Sequence, residues 1–169
     1  LFFFLAGSTY VAVQPNTYDF FRTRTISAPV YVVYNTVNEY RDWESWSPWK
    51  QKDPSLTFEY PELTKGVGGA YSWSGKDGKG TMKTLAASPN DSLLQELKFE
   101  QFPASKVYWN FEYKGPNVTE VTWGMKSDDV PFMLKFFALI SGGMEKMVAP
   151  DYEKGLANLE AHVQEQMAI

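Results

Sequence analysis

The sequence predicts an α+β domain in which a curved, seven-stranded antiparallel sheet wraps one long C-terminal helix. Three observations predict it. Period-two alternation of apolar and polar residues runs through one stretch near the start and six more between residues 56 and 127. Turn residues separate several of these stretches so closely that neighbours must pair as hairpins, which is antiparallel pairing. From Met144 onward the apolar spacing changes to the three-to-four-residue rhythm of a helix.

Each element follows in order. Tyr18–Ile26 alternates and is rich in aromatics and threonine, so it reads as a strand. Ser27 is placed to cap a helix, and Pro29 suits its first turn. Val30, Val33, Tyr34 and Val37 then mark one buried helical face. Asn38 is the expected cap of a second short helix holding Tyr40, Trp43 and Trp46, ended by Ser47-Pro48. Strands are predicted at Leu56–Tyr60, Ala70–Gly75, Gly80–Ala87, Leu93–Phe102, Lys106–Lys114 and Val118–Ser127. Gly75-Lys76-Asp77-Gly78, Ser88-Pro89-Asn90-Asp91 and Gly115-Pro116-Asn117 are the turns. Pro131–Ile140 is a short apolar helical piece stopped by Ser141-Gly142-Gly143. Met144, Val148, Tyr152, Leu156, Leu159 and Val163 line one face of the long helix, which Pro150 should kink or divide. A sheet of this size has one face to bury, and the long helix is its natural cover.

Composition narrows the role. The 169 residues suit one domain, and 44% apolar content with 17% aromatics excludes a disordered chain. A net charge of -4 disfavours nucleic acid, which needs a basic face. The absence of cysteine excludes disulfides, thiol nucleophiles and cysteine metal sites, and a single histidine excludes any site needing two. No cofactor or metal is expected. Residues 1–16 read as an apolar tail, Leu1-Phe2-Phe3-Phe4-Leu5-Ala6-Gly7 above all, and residues 17–169 as the domain. The tail is shorter than the about 20 apolar residues of a spanning helix. It is expected to be the remnant of a signal peptide or membrane anchor, making the full-length protein exported or tethered at its N-terminus; without an anchor the chain would be cytoplasmic.

The strand faces suggest a site. Val107, Trp109, Phe111 and Tyr113 share one face of the sixth strand, and Val121, Trp123 and Met125 one face of the seventh. Tyr71 and Trp73 do so on the third, and Leu93, Gln95, Leu97 and Phe99 on the fifth. An apolar lining with a few indole, phenol and amide groups is the make-up of a small-molecule pocket, and equally of an ordinary aromatic core. Met144, Met147 and Phe137 would add an adaptable wall, with Gly142-Gly143 as its hinge.

The ordered set of short patterns is similar to the helix-grip superfamily of START-like, pollen-allergen-like and polyketide cyclase/dehydrase proteins, known as SRPBCC. It comprises Ile26-Ser27-Ala28-Pro29, Tyr40-Arg41-Asp42-Trp43, Trp46-Ser47-Pro48-Trp49, Gly66 to Trp73, Gly78-Lys79-Gly80, Val121-Thr122-Trp123 and Asp151 to Leu159. The nearest flavour is a bacterial membrane-anchored subgroup, some members of which carry a further effector-binding domain. The resemblance implies a cavity between sheet and long helix for a hydrophobic or amphipathic molecule, a lipid included. It does not imply one activity, because the fold hosts carriers, cyclases, hydrolases and sensors. Ligand binding at Tyr71, Trp73, Trp109, Phe111, Tyr113, Trp123, Met125, Phe137, Met144 and Met147 is the expected role. A cyclase/dehydrase- or hydrolase-type enzyme and a ligand-free protein-interaction domain are the alternatives.

Little catalytic hardware stands out. His162 reads as a surface residue flanking the helix's apolar face. Glu96, Glu100 and Glu112 fall on the outer strand phase, so no catalytic residue is assigned. Gly66-Val67-Gly68-Gly69 leads into a strand and lacks the lysine of a phosphate loop, so it reads as a turn. Trp43, Trp46 and Trp49 either plug one end of the sheet–helix gap or form an exposed interfacial cluster.

Overall fold

The computed structural model describes residues 17–140 and 142–168, without the side chains of Met133, Phe136, Phe137 and Leu139. The apolar tail over residues 1–16 lies outside the described residues. The strands are β1 (Tyr18–Ile26), β2 (Thr57–Glu59), β3 (Ala70–Gly75), β4 (Gly78–Ser88), β5 (Ser92–Phe99), β6 (Ser105–Gly115) and β7 (Val118–Ser127). The helices are α1 (Val30–Asn38), α2 (Trp43–Trp46), α3 (Pro48–Lys52), α4 (Phe132–Ile140) and α5 (Met144–Met167), with a 3-10 turn at Tyr40–Asp42. The sheet order is β1-β7-β6-β5-β4-β3-β2, and every neighbouring pair is antiparallel. This is the expected helix-grip architecture: α1 to α3 carry the chain from one sheet edge to the other, and α5 lies across the concave face.

The alternation dictates which side faces α5. Val107, Trp109 and Phe111 on β6 and Val121, Trp123 and Met125 on β7 are buried, while Asn110, Glu112 and Lys126 between them are exposed. Ala149, Tyr152, Leu156, Leu159 and Val163 supply the matching face of α5. The edge strand β1 uses charge where its neighbours use apolar side chains. Arg22 reaches Glu153 and Glu145 on α5 at 2.8 and 2.9 Å, and Arg24 reaches Glu160 at 2.6 Å. Inward-pointing charges on an edge strand also discourage pairing with another chain.

Three local expectations differ from the structure. Ser27 does not cap α1; Pro29 occupies the cap position in extended conformation with no side-chain cap bond. Asn38 caps no helix either, because its Oδ1 accepts from the Gly66 N–H and so pins the glycine-rich turn, while Glu39 caps the 3-10 turn by accepting from the Arg41 N–H. Pro150 leaves α5 undivided, since an exposed proline in the second turn removes only one donor, that owed to the Lys146 carbonyl. Pro48, expected only as a stop, also opens α3 at its first turn.

Candidate functional site

The concave face carries an aromatic stack running from sheet to helix. Trp109 and Trp123 are cross-strand partners, so their indoles meet face to face at 4.5 Å between centroids and 14° between planes. Tyr152 of α5 continues the stack on Trp123 at 3.9 Å and 12°. That approach requires Gly155, where an added Cβ would stand 2.7 Å from the Trp123 ring. Trp43 and Trp46 present their edges to both stacked indoles at 6.0 to 6.2 Å, and Trp49 presents its edge to Trp123 at 5.6 Å. Edge-to-face and offset contacts of this kind complement the ring quadrupoles. The tryptophans spaced by three on α2 and α3 thus plug the gap between sheet and helix.

Polar atoms are threaded through this apolar mass. The Trp109 Nε1–H donates to Gln95 Oε1 at 3.0 Å, and the hydroxyls of Tyr40 and Thr84 bond at 2.9 Å. The Trp43 Nε1–H donates to the Val37 carbonyl at 2.8 Å. Among the described residues three buried donors have no acceptor: Trp46 Nε1, Trp123 Nε1 and Gln95 Nε2. The Gln95 amide approaches the Tyr40 hydroxyl without meeting hydrogen-bond geometry. Each orphaned donor costs about 1–3 kcal/mol in a medium that offers it nothing. Burial pushes the phenols of Tyr71 and Tyr152 well above their ordinary range, and that of Tyr40 likewise, against the opposing effect of its bond to Thr84. These tyrosines are neutral at physiological pH and can donate but not act as bases. The buried polar residues are threonines, serines and Gln95.

The sequence-predicted residues divide into groups. Tyr71, Trp109, Phe111, Trp123 and Met125 are buried together in the core. Trp73 is half-buried at the rim, its ring lying over Gly80, where a Cβ would come within 2.1 Å of it. Met144 is half-buried at the start of α5. Two positions need correcting: Tyr113 is 61% exposed beside the register shift that ends β6, and Met147 is 37% exposed on the outer flank of α5. The Phe137 side chain lies outside the described residues. Sequence reasoning left Trp46, Gln95, Tyr40, Thr84 and Tyr152 out of the site. Gln95 and Tyr152 were legible by phase; Trp46 and Tyr40 sit on irregular short helices whose direction no periodicity fixes. His162 is half-buried on the flank of α5, its Nε2 3.0 Å from the Gln166 amide. No group of acidic or histidine side chains suited to a metal occurs among the described residues.

Among the described residues these rings lie between sheet and α5, where an open cavity is expected. Two concavities lie elsewhere, and no residue of α5 lines either. One of about 310 Å³ is bordered by Ala86, Leu94 and Tyr108; one of about 610 Å³ by Ser72, Trp73, Thr81 and Lys98.

A family described as polyketide cyclase / dehydrase and lipid transport matches residues 18–164. Solved structures of similar fold include a protein from Arthrobacter aurescens, 21% identical with a TM-score of 0.64 over 87% of this chain and 86% of that one. A second is CV1439 from Chromobacterium violaceum, 17% identical with a TM-score of 0.62 over 88% and 98%. A third is DynU16, described as a putative protein in the dynemicin biosynthetic locus. It is 18% identical with a TM-score of 0.60 over 86% of this chain and 47% of its own. No curated protein matches the chain.

Proposed function

Because the chain belongs to the polyketide cyclase / dehydrase and lipid transport family, we propose that it binds a small, largely apolar molecule against the Trp109–Trp123 stack, between sheet and α5. The observation that carries this reading is the set of three buried N–H donors without acceptors on Trp46, Trp123 and Gln95. A core packed only for stability satisfies its buried donors, because an orphan costs as much as a bond supplies. Here one orphan sits on the ring pair itself, the other two belong to side chains that touch it, and all three are donors. The guest that suits them is apolar over most of its surface and carries acceptor oxygens, as a ketone, quinone or ester does. Its binding would draw mainly on burial of ring surface, with the donors setting orientation. The guest enters by displacing a half-buried ring that packs against the stack, Trp49 being the one that meets both Trp123 and Tyr152.

The test uses variants that keep a ring and remove the N–H. Native mass spectrometry of the protein purified from its host would detect a co-purifying molecule. Calorimetric titration with 1,4-naphthoquinone, a neutral ring with two acceptor oxygens, then compares the parent with Trp46→Phe and Trp123→Phe. Loss of one donor bond should weaken binding by about 5- to 30-fold, corresponding to the 1–2 kcal/mol of a buried bond. Unchanged affinity in both variants, or no binding by the parent and no co-purifying molecule, would refute the reading.

A further inference from the structure

The geometry points to a gate: α3 carries Trp49 as a plug over the aromatic stack, and the ion pair between Lys52 and Asp151 is the latch that holds it shut. This inference rests on the reading that a guest reaches the stack, and it adds what moves and what restrains the movement. Helix α3 has five residues, little more than one turn, so it depends on its attachments rather than on its own bonds. Its two ends are pinned. Ahead of it the Trp46 carbonyl accepts from Asn158 Nδ2 of α5 at 2.9 Å, and the Trp43 Nε1–H is held by the Val37 carbonyl, so α2 stays in place. Pro48, the first residue of α3, is buried against Gly155. Behind α3 the Asp53 carboxylate accepts from the Ser55 and Lys76 N–H groups, both at 3.0 Å, which ties that end to the β3–β4 turn. Lys50 donates to the carbonyls of Pro54 and Leu56 and so stays within its own loop.

The middle of α3 is held less firmly. Trp49 is half-buried and offers only its edge, to Trp123 at 5.6 Å and to Tyr152 at 6.4 Å. Trp73, the other half-buried indole, meets Tyr71 and Phe99 instead, so Trp49 is the one that covers the stack. Among the described residues one ion pair joins α3 to α5: Lys52 Nζ reaches Asp151 Oδ1 and Oδ2 at 2.8 and 2.9 Å. Asp151 directly precedes Tyr152, so the pair grips α5 next to a ring that Trp49 meets. The Lys52 side chain is 61% exposed and that of Asp151 19%. Such a pair is weak and is screened by salt, which suits a restraint that must open and reclose. When it parts, α3 swings about Ser47 and Asp53 and Trp49 leaves the Trp123 edge. The Trp123 Nε1–H, buried without an acceptor, then meets water.

Two measurements on the full chain test the gate. The first needs no guest: hydrogen exchange of the indole N–H groups is followed by NMR in protein carrying isotope-labelled tryptophan. In Lys52→Gln the Trp123 indole should exchange about 2- to 5-fold faster than in the parent, the range for a partly exposed ion pair, while the Trp43 indole keeps its parent rate. Raising salt should speed Trp123 exchange in the parent and leave the variant unchanged. Lys52→Arg should restore the parent rate. Lys106→Gln, which breaks a pair of 3.0 Å with Glu96 on the outer sheet face, should change neither indole. The second measurement is stopped-flow binding of naphthoquinone. Lys52 lies outside the stack, so Lys52→Gln should raise the association and dissociation rates by the same factor and leave the affinity unchanged. The gate is overturned if Trp123 exchange is alike in parent and variant, or if naphthoquinone binds at rates that Lys52→Gln leaves unchanged. It is likewise overturned if Trp43 exchange rises with that of Trp123, because the fold then loosens as a whole. Absence of naphthoquinone binding by the parent counts against the functional reading alone, since indole exchange decides the gate without a guest.

Discussion

Gly155→Ala sets two effects of opposite sign against each other. In an exposed helix interior, replacing glycine by alanine stabilises by about 1 kcal/mol, because glycine loses more backbone freedom on folding. At position 155 the new Cβ would lie 2.7 Å from Trp123 Cζ3 and 3.2 Å from Pro48 Cδ. Carbon atoms in comfortable contact are about 3.5–4.0 Å apart, so close to 1 Å of displacement is required. The indole cannot supply it, being held between Trp109 at 4.5 Å and Tyr152 at 3.9 Å with the Trp49 edge at 5.6 Å. The helix must move instead, against the pairs from Arg22 to Glu153 and Lys52 to Asp151, each 2.8 Å long, and the bond from Asn158 to the Trp46 carbonyl at 2.9 Å. Overpacking of this kind costs about 1–3 kcal/mol, and the upper half applies where neither partner yields. The expected balance is a net loss of about 1–2 kcal/mol, or a fall of about 2–8 °C in Tm for a chain of this size. Urea denaturation of Gly155→Ala is the assay, with the exposed Ala161→Gly on the same helix as the propensity control. A Gly155→Ala protein more stable than its parent would refute the claim that the ring stack fixes the helix height.

Two further outcomes follow from the buried phenols. Tyr71 and Tyr152 are held above their ordinary pKa of 10.0 by burial, and Tyr108 is pushed up to about 12 by burial and by its bond to Asp19. A raised folded-state pKa means this stabilisation is complete below pH 10 and is lost as pH rises, at about 1.4 kcal/mol per pH unit for each of the buried phenols of Tyr71 and Tyr152, and by less for the less buried Tyr108. Tyrosinate absorbance and unfolding by circular dichroism should therefore rise together above pH 10; ionisation of all ten tyrosines in a still-folded protein would contradict it. Tyr40→Phe breaks a buried hydroxyl pair at 2.9 Å and should cost about 1–2 kcal/mol in urea midpoint analysis. Thr23→Ala breaks an exposed hydroxyl pair at 3.0 Å and should stay within about 0.5 kcal/mol; equal losses would remove the distinction between the two environments.

The strands were legible because each had one face to bury. β1, β3 and β7 carry the predicted ends, and the remaining strands differ by a few residues at their termini. Where burial is not periodic the reading weakens. Between Tyr40 and Lys52 the chain makes a 3-10 turn and two short helices, and only the register of β6 and β7 fixes where Trp43 and Trp46 must point. The same limit explains Asn38: capping is a local preference, and the Gly66 N–H competes for its oxygen from a turn that sequence separation hides. For the site, phase identified the inward side chains on β3, β6 and β7 but not the depth of the concave surface. Tyr113 has the correct phase, yet it is the last regular pairing of the ladder, opposite Thr119, beyond which the register shifts before Gly115. Volume was the least legible quantity. An inward aromatic lines a cavity or fills it depending on its partners across the gap, and those come from α2 and α5.

The distribution of satisfied and orphaned donors decides how the filled interior is to be understood. Trp43 and Trp46 stand three residues apart on one short helix, both buried, both edge-on to the same two indoles. The Trp43 N–H reaches the Val37 carbonyl, whereas the Trp46 N–H reaches nothing. Gln95 repeats the asymmetry within one side chain, its oxygen committed to Trp109 and its nitrogen uncommitted. If stability alone governed these positions, phenylalanine at 46 and leucine at 95 would avoid the desolvation cost at little loss of apolar area, provided Trp109 were also replaced. Polar hydrogens left in an otherwise satisfied core are where local rules fail together, and such failures concentrate at functional positions. The Trp46→Phe measurement therefore bears on folding as well as binding. Stability should hold or rise slightly as the orphan is removed, offset by the smaller ring, while naphthoquinone affinity falls. A stability loss of 3 kcal/mol or more, of the order expected when a large core side chain is deleted outright, would make Trp46 a packing residue and leave its nitrogen without a role.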